Sequence, residues 1–165
     1  MIRRSFLALS AALALTACGP DKKAAAGATM EAGKAFLATN AKAPGVKVLP
    51  SGLQYKIVRS GPADGLRPQK EDEVKVNYEG KLLSGQVFDS SYERGVPAAM
   101  PVAALIPGWI EALQLMRPGD EWILYVPPAL AYGDEGAGEI PPGSTLIFRI
   151  ELIAVLPGPG HIGQG

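Results

Sequence analysis

The 165-residue sequence has one cysteine and one histidine. Cys18 lies near the start and His161 in a Gly/Pro-rich tail, so no Ser-His-Asp or Cys-His arrangement is available for nucleophilic catalysis. No tetrahedral zinc spacing can be made from one residue of each kind. A charge of one sign is also lacking. Lys+Arg and Asp+Glu both total 16, so no basic field marks a nucleic-acid binder. Long hydrophobic runs are missing too. The apolar stretch over residues 6–15, interrupted only by Ser10, is half the length of about 20 residues that spans a bilayer core. The acidic residues Asp134, Glu135 and Glu139 lie in a loop starting at Gly133. They lack the alternating oxygen ligands and the turn glycine of a calcium loop, and the glycines there do not have phosphate-cradle spacing. Neither a metal nor a cofactor is expected.

What is present begins with an address. Arg3 and Arg4 precede the short apolar stretch, the pattern of a signal peptide over residues 1–17. It closes on Leu15-Thr16-Ala17-Cys18, which resembles the lipobox of bacterial lipoproteins. That resemblance implies diacylglyceryl transfer to Cys18, cleavage before it and a periplasm-facing protein held to a membrane through its lipid. The mature chain would carry 14 basic against 16 acidic residues, a net charge of −2. Gly19, and not Asp, follows the cysteine, which favours the outer over the inner membrane. Residues 18–50 are rich in Ala, Gly, Lys and Thr. They are expected to form a lipidated tether with at most one short helix over residues 29–39, carrying Met30, Gly33 and Leu37 on one side.

From Ser51 the periodicity becomes two. Leu53, Tyr55 and Ile57 oppose Gln54 and Lys56, and Val74, Val76 and Tyr78 oppose Lys75, Asn77 and Glu79. Both parities are apolar over residues 122–126, which predicts a strand covered on both faces. Leu146, Phe148, Ile150 and Leu152 oppose Arg149 and Glu151. Between these strands Trp109, Ala112, Leu113 and Met116 fall at i, i+3, i+4 and i+7, one face of a short helix. Pro118 ends it. The sum is an α+β domain over residues 51–156, an antiparallel half-barrel sheet of about five strands wrapped around one short helix, followed by a flexible tail over residues 157–165.

Taken singly each inward aromatic beside a loop is expected to be core, but a cluster of several with two Tyr hydroxyls and one Asp resembles a small apolar pocket with a few polar handles, the usual form of a ligand site. The motifs Val76-Asn77-Tyr78-Glu79-Gly80, Gly85-Gln86-Val87-Phe88-Asp89-Ser90-Ser91, Leu105-Ile106-Pro107-Gly108-Trp109, Ala131-Tyr132-Gly133 and Ile140-Pro141-Pro142 resemble the FK506-binding-protein family of peptidyl-prolyl cis-trans isomerases. Leu49-Pro50-Ser51-Gly52-Leu53-Gln54-Tyr55 resembles the opening of its bacterial, Mip- and FkpA-like branch. The resemblance covers about residues 50–156 and implies the same half-barrel.

It also implies a catalytic pocket made by Tyr78, Phe88, Asp89, Ile106, Trp109, Tyr132 and Phe148, with Leu105, Met100, Ile140 and Arg94 binding substrate. Trp109 would be the floor under the prolyl ring. The Ile106 N–H and the Tyr132 hydroxyl would hold carbonyls, and Arg94 would pair with Asp89. Three features depart from the family: Ala98 stands where many members have a pocket-wall Phe, Met100 where an aromatic is usual, and the loop after Tyr132 is short and ends in Glu139-Ile140, where eukaryotic members have two apolar residues. The implied substrates are proline-containing unfolded or nascent exported polypeptides, and macrolide inhibitors would take the same pocket. A holding chaperone or partner-binding module with weak or no isomerase activity is the alternative. The related bacterial proteins often dimerise through a long N-terminal helical domain, so the short tether predicts a monomer.

Overall fold

The computed structural model describes residues 22–159. The expected leader, Cys18 and His161 lie outside the described residues. In chain order the elements are α1 (Lys22–Asn40), β1 (Val46–Val48), β2 (Gln54–Arg59), β3 (Glu73–Leu82), β4 (Val87–Ser90), α2 (Ser91–Arg94), β5 (Ala98–Pro101), α3 (Pro107–Leu113), β6 (Glu121–Val126) and β7 (Leu146–Leu156). Short 3₁₀ turns cover Val102–Ala104 and Pro128–Leu130.

All strand pairs are antiparallel, in the order β1-β2-β6-β7-β3-β4, with β5 also on β3. The long pair β3–β7 is the spine. Tyr78 faces Ile150 and Gly80 faces Phe148, while on the other flank of β7 Leu124 faces Phe148 and Trp122 faces Ile150. Side chains alternate across a strand, so this register gathers Val74, Val76, Tyr78, Leu124, Phe148 and Ile150 on one buried face.

The short helix α3 lies against that face. Its Trp109, Ala112 and Leu113, with Met116 just beyond, are all at most 4% exposed, which is the i, i+3, i+4, i+7 stripe of the sequence. Pro107 stands in its first turn, where a missing N–H is harmless.

The sheet has seven strands where about five were expected. The outer strand beside β3 is cut in two by α2. Ser90 caps that helix, accepting from the Glu93 N–H at 3.3 Å, and Gly95 ends it in the left-handed region at φ 72°. Both halves return to the same edge of β3, with Glu79 facing Ser90 and Val76 facing Ala98. Strand β6 is covered on its outer face only in part, Ile123 and Tyr125 being half-buried.

The largest correction concerns the tether. Its helix is 19 residues long, not a short helix over residues 29–39, and it is docked on the domain. The Phe36 and Tyr125 rings lie 5.8 Å apart. Asn40 Nδ2 donates to Gln54 Oε1 (2.9 Å), and Gln54 Nε2 donates to the Leu37 carbonyl (2.9 Å). Gly33 sits directly on Thr145: a methyl group there would stand 2.3 Å from Thr145 Oγ1. A thin apolar stripe does not hold a helix in water; these tertiary contacts do. No described helix is long and apolar enough to cross a membrane.

Candidate active site

At one end of the half-barrel, above α3, a pocket of about 240 Å³ is lined by Tyr78, Phe88, Asp89, Met100, Ala104, Leu105, Ile106, Trp109, Tyr132 and Phe148. The structure therefore brings together all seven residues expected to be catalytic and two of those expected to bind substrate, Leu105 and Met100. Ala104 was not anticipated; it belongs to the 3₁₀ turn that delivers Leu105. Ala98 lies outside the lining and leans on the core. Ile140 is 7% exposed and lines a separate cleft, because Ala137 and Ile140 pair back on each other and turn the loop there.

The rings hold one another edge to face. The Trp109 and Tyr78 centroids are 5.2 Å apart at 84°, Trp109 and Phe148 5.3 Å at 89°, and Phe88 and Phe148 5.7 Å at 88°. Such tilted pairs place a positive ring edge on a negative face and add about 0.5–1.5 kcal/mol each beyond area burial. The strand beneath must be bare for this. A methyl group on Gly80 would come within 2.7 Å of both Phe148 and Phe88.

One side of the pocket is polar. The Tyr78 hydroxyl donates to Asp89 Oδ2 at 2.5 Å, Arg94 Nη2 donates to the Tyr78 hydroxyl at 2.9 Å, and Arg94 Nη1 donates to Asp89 Oδ1. Arg94 thus works from outside the lining, clamping both groups. The Ser91 hydroxyl, fully buried, accepts from the Tyr78 N–H at 2.8 Å and fixes the backbone behind the ring. Burial pushes the Tyr78 phenol up, and its bond to Asp89 adds to the rise. Burial also opposes ionisation of Asp89, but the hydrogen bonds from Tyr78 and Arg94 and the charge of Arg94 outweigh it, so its carboxyl sits below the ordinary carboxylate value.

Three donors in the lining are unengaged. Among the described residues no hydrogen bond is made by the Ile106 N–H, the Tyr132 hydroxyl or the buried Trp109 Nε1–H. Tyr132 is 39% exposed at the rim. The pocket is thus a box of fixed rings with free donors and an ion pair at its edge, and no Ser, Thr, Cys, Lys or His lines it. It suits non-covalent binding of a ring flanked by carbonyls.

Comparison with known proteins agrees with this geometry. The model of the FKBP-type peptidyl-prolyl cis-trans isomerase family matches residues 65–153, and that of the domain amino terminal to FKBP-type peptidyl-prolyl isomerase matches residues 9–57. The peptidyl-prolyl cis-trans isomerase Mip of Coxiella burnetii is 54% identical over 76% of this chain and 54% of its own length. The outer membrane protein MIP of Legionella longbeachae is 52% identical over 74% of this chain and 52% of its own. The crystal structure of FkpA from Escherichia coli superposes with a TM-score of 0.80 at 41% identity, over 84% of this chain and 64% of that one. The chain therefore spans about half the length of the curated relatives it matches. On the family model, the identities and the shared fold together, this chain belongs to the FKBP-type peptidyl-prolyl cis-trans isomerase family.

Proposed function

We propose that the protein catalyses cis-trans rotation of X-Pro peptide bonds in polypeptides of the bacterial envelope, at the pocket above α3. The observation that carries this reading is the small aromatic box floored by Trp109, with the free donors of Ile106 and Tyr132 at its sides. An X-Pro bond resists rotation by about 18–20 kcal/mol because twisting breaks amide conjugation. The twisted amide has lost its resonance charge separation, so it needs less hydration than the planar form and tolerates a dry pocket better. With the prolyl ring on Trp109 and a neighbouring carbonyl held by Tyr132 or Ile106, binding favours the twisted state over both planar states. A thousandfold acceleration requires only about 4 kcal/mol. No proton moves and no covalent bond forms.

The substrates in this reading are exported chains in unfolded or nascent form, and a macrolide inhibitor would compete for the same box. Outer membrane placement is supported by the name of the Legionella relative. A lipid on Cys18 would supply the anchor, and mass spectrometry of the membrane fraction tests it. The docking of α1 on its own domain supports a monomer, and an elution mass of twice the chain mass would overturn that. The activity itself is tested by following cis-to-trans relaxation of an X-Pro tetrapeptide. Folded protein that leaves the rate unchanged would leave a holding or partner-binding role in its place.

A further inference from the structure

A second and larger cavity, about 790 Å³, opens where the N-terminal half of α1 crosses the loop after Tyr132. Ala26 and Met30 of the helix face Ile140, Pro141 and Pro142 of the loop, and Asp134, Glu135 and Glu139 stand among them. The loop is tied by its own backbone. Gly136 N–H donates to the Tyr132 carbonyl (3.2 Å), Ala137 and Ile140 exchange bonds of 3.0 and 2.8 Å, and Gly143 N–H donates to the Gly133 carbonyl (2.9 Å). The cleft is therefore formed before any guest arrives, which lowers the ordering cost of binding.

Its three carboxylates are exposed and make no ion pair among the described residues. Nor do they converge on a point: no described group of three or more His, Cys, Asp and Glu side chains could hold a metal ion. Negative charge spread along an apolar cleft is complementary to a chain in which basic and apolar side chains alternate. The cleft also lies beside the pocket above α3 along the chain. Tyr132 lines that pocket and Asp134 lines the cleft, and two residues of chain separate them by at most about 7 Å. A pocket of 240 Å³ takes one ring; the cleft, more than three times larger, takes several side chains.

We infer that the cleft between α1 and the Asp134–Pro142 loop holds a flanking segment of the client polypeptide, one with Lys or Arg interspersed with apolar residues, while the X-Pro bond sits at Trp109. This rests on the isomerase reading and gives the protein a substrate preference that tetrapeptides cannot show.

The test uses the full chain and three kinds of peptide: an X-Pro tetrapeptide, and the same core extended on either side by Lys-Leu-Lys-Leu or by Glu-Leu-Glu-Leu. At low salt, one of the Lys-Leu peptides is expected to exceed its Glu-Leu counterpart roughly tenfold in kcat/KM, the size expected from a few exposed charge pairs. The difference should shrink at high salt. In the D134N/E135Q/E139Q variant, whose changes are all on exposed side chains, it should fall below about twofold with tetrapeptide turnover unchanged. Turnover of the tetrapeptide without any preference between extensions overturns the inference, and so does a preference that survives in the variant. A folded chain inactive on the tetrapeptide defeats the isomerase reading instead. Fluorescence anisotropy of the labelled extended peptides then decides the cleft by the same comparison.

Discussion

The Trp109 indole stands edge to face against the Phe148 ring, with centroids 5.3 Å apart and planes at 89°. Each ring fixes the other, and both line the pocket. Trp109→Ala would remove the platform and also open a cavity, at about 3–5 kcal/mol of stability. Trp109→Phe separates the two effects. It keeps an aromatic face but a smaller one, so kcat/KM on an X-Pro peptide should fall roughly tenfold, or about 1.4 kcal/mol of transition-state binding. A melting curve taken alongside should still show a cooperative transition, and unchanged turnover would remove Trp109 from the proposed mechanism.

Tyr132→Phe asks a narrower question. The hydroxyl is at the rim and has no partner among the described residues, so deleting it should leave the melting temperature within error. If it holds a substrate carbonyl, kcat/KM falls by the worth of one hydrogen bond, about 0.5–1.5 kcal/mol or roughly 2–10-fold. Loss of stability without loss of activity would give Tyr132 a structural role in place of the proposed one.

Much of this site is legible in the chain because period-two alternation and one helical stripe place the rings. Val74, Val76 and Tyr78 alternate with Lys75, Asn77 and Glu79, and the spacing from Trp109 to Met116 selects the face of α3. The docked helix α1 is not legible in the same way. Beside the Phe36 ring, its contacts use Gly33 against Thr145 and side-chain amides of Asn40 and Gln54, and small or polar groups leave only a thin apolar stripe to read. That Ile140 lines the cleft beside α1 and not the pocket above α3 is not legible, for another reason. Which side of a loop a residue faces depends on its backbone pairing, here Ala137 with Ile140, and no short-range pattern reports that. The split of the outer strand is readable in hindsight, since Ser90 and Gly95 are the cap residues of a one-turn helix.

The Asp89 contact with Tyr78 and Arg94 has a pH signature. The folded-state value of Asp89 lies below its ordinary value near 3.9. A carboxylate depressed on folding contributes stability that is complete above the unfolded value and disappears as pH falls through the folded one. The difference in melting temperature between wild type and Asp89→Asn should therefore be constant from about pH 8 to 5 and shrink below about pH 4. Tyr78, whose value is raised, stays protonated throughout that range and keeps donating. A difference that instead vanished between pH 5 and 7 would contradict the arrangement.

The seat of α1 can be tested apart from catalysis. A methyl group on Gly33 would lie 2.3 Å from Thr145 Oγ1, closer than real side chains approach, and a tight 3.2 Å from its Cβ. Gly33→Ala gains helix propensity of about 1 kcal/mol but must push α1 off the loop, an overpacking penalty of about 1–3 kcal/mol. The net expectation is faster amide hydrogen exchange over residues 25–40 with tetrapeptide turnover unchanged, because no residue of α1 lines the pocket above α3. Thr145→Ala in the same chain removes the clashing hydroxyl, whose oxygen is buried and unpartnered, and should restore much of the protection. Restoration by the second change separates a steric seat from a general loosening of the helix, since contacting sites couple and distant ones add. Exchange over residues 25–40 that is unaffected by Gly33→Ala would mean that α1 is not held at Thr145.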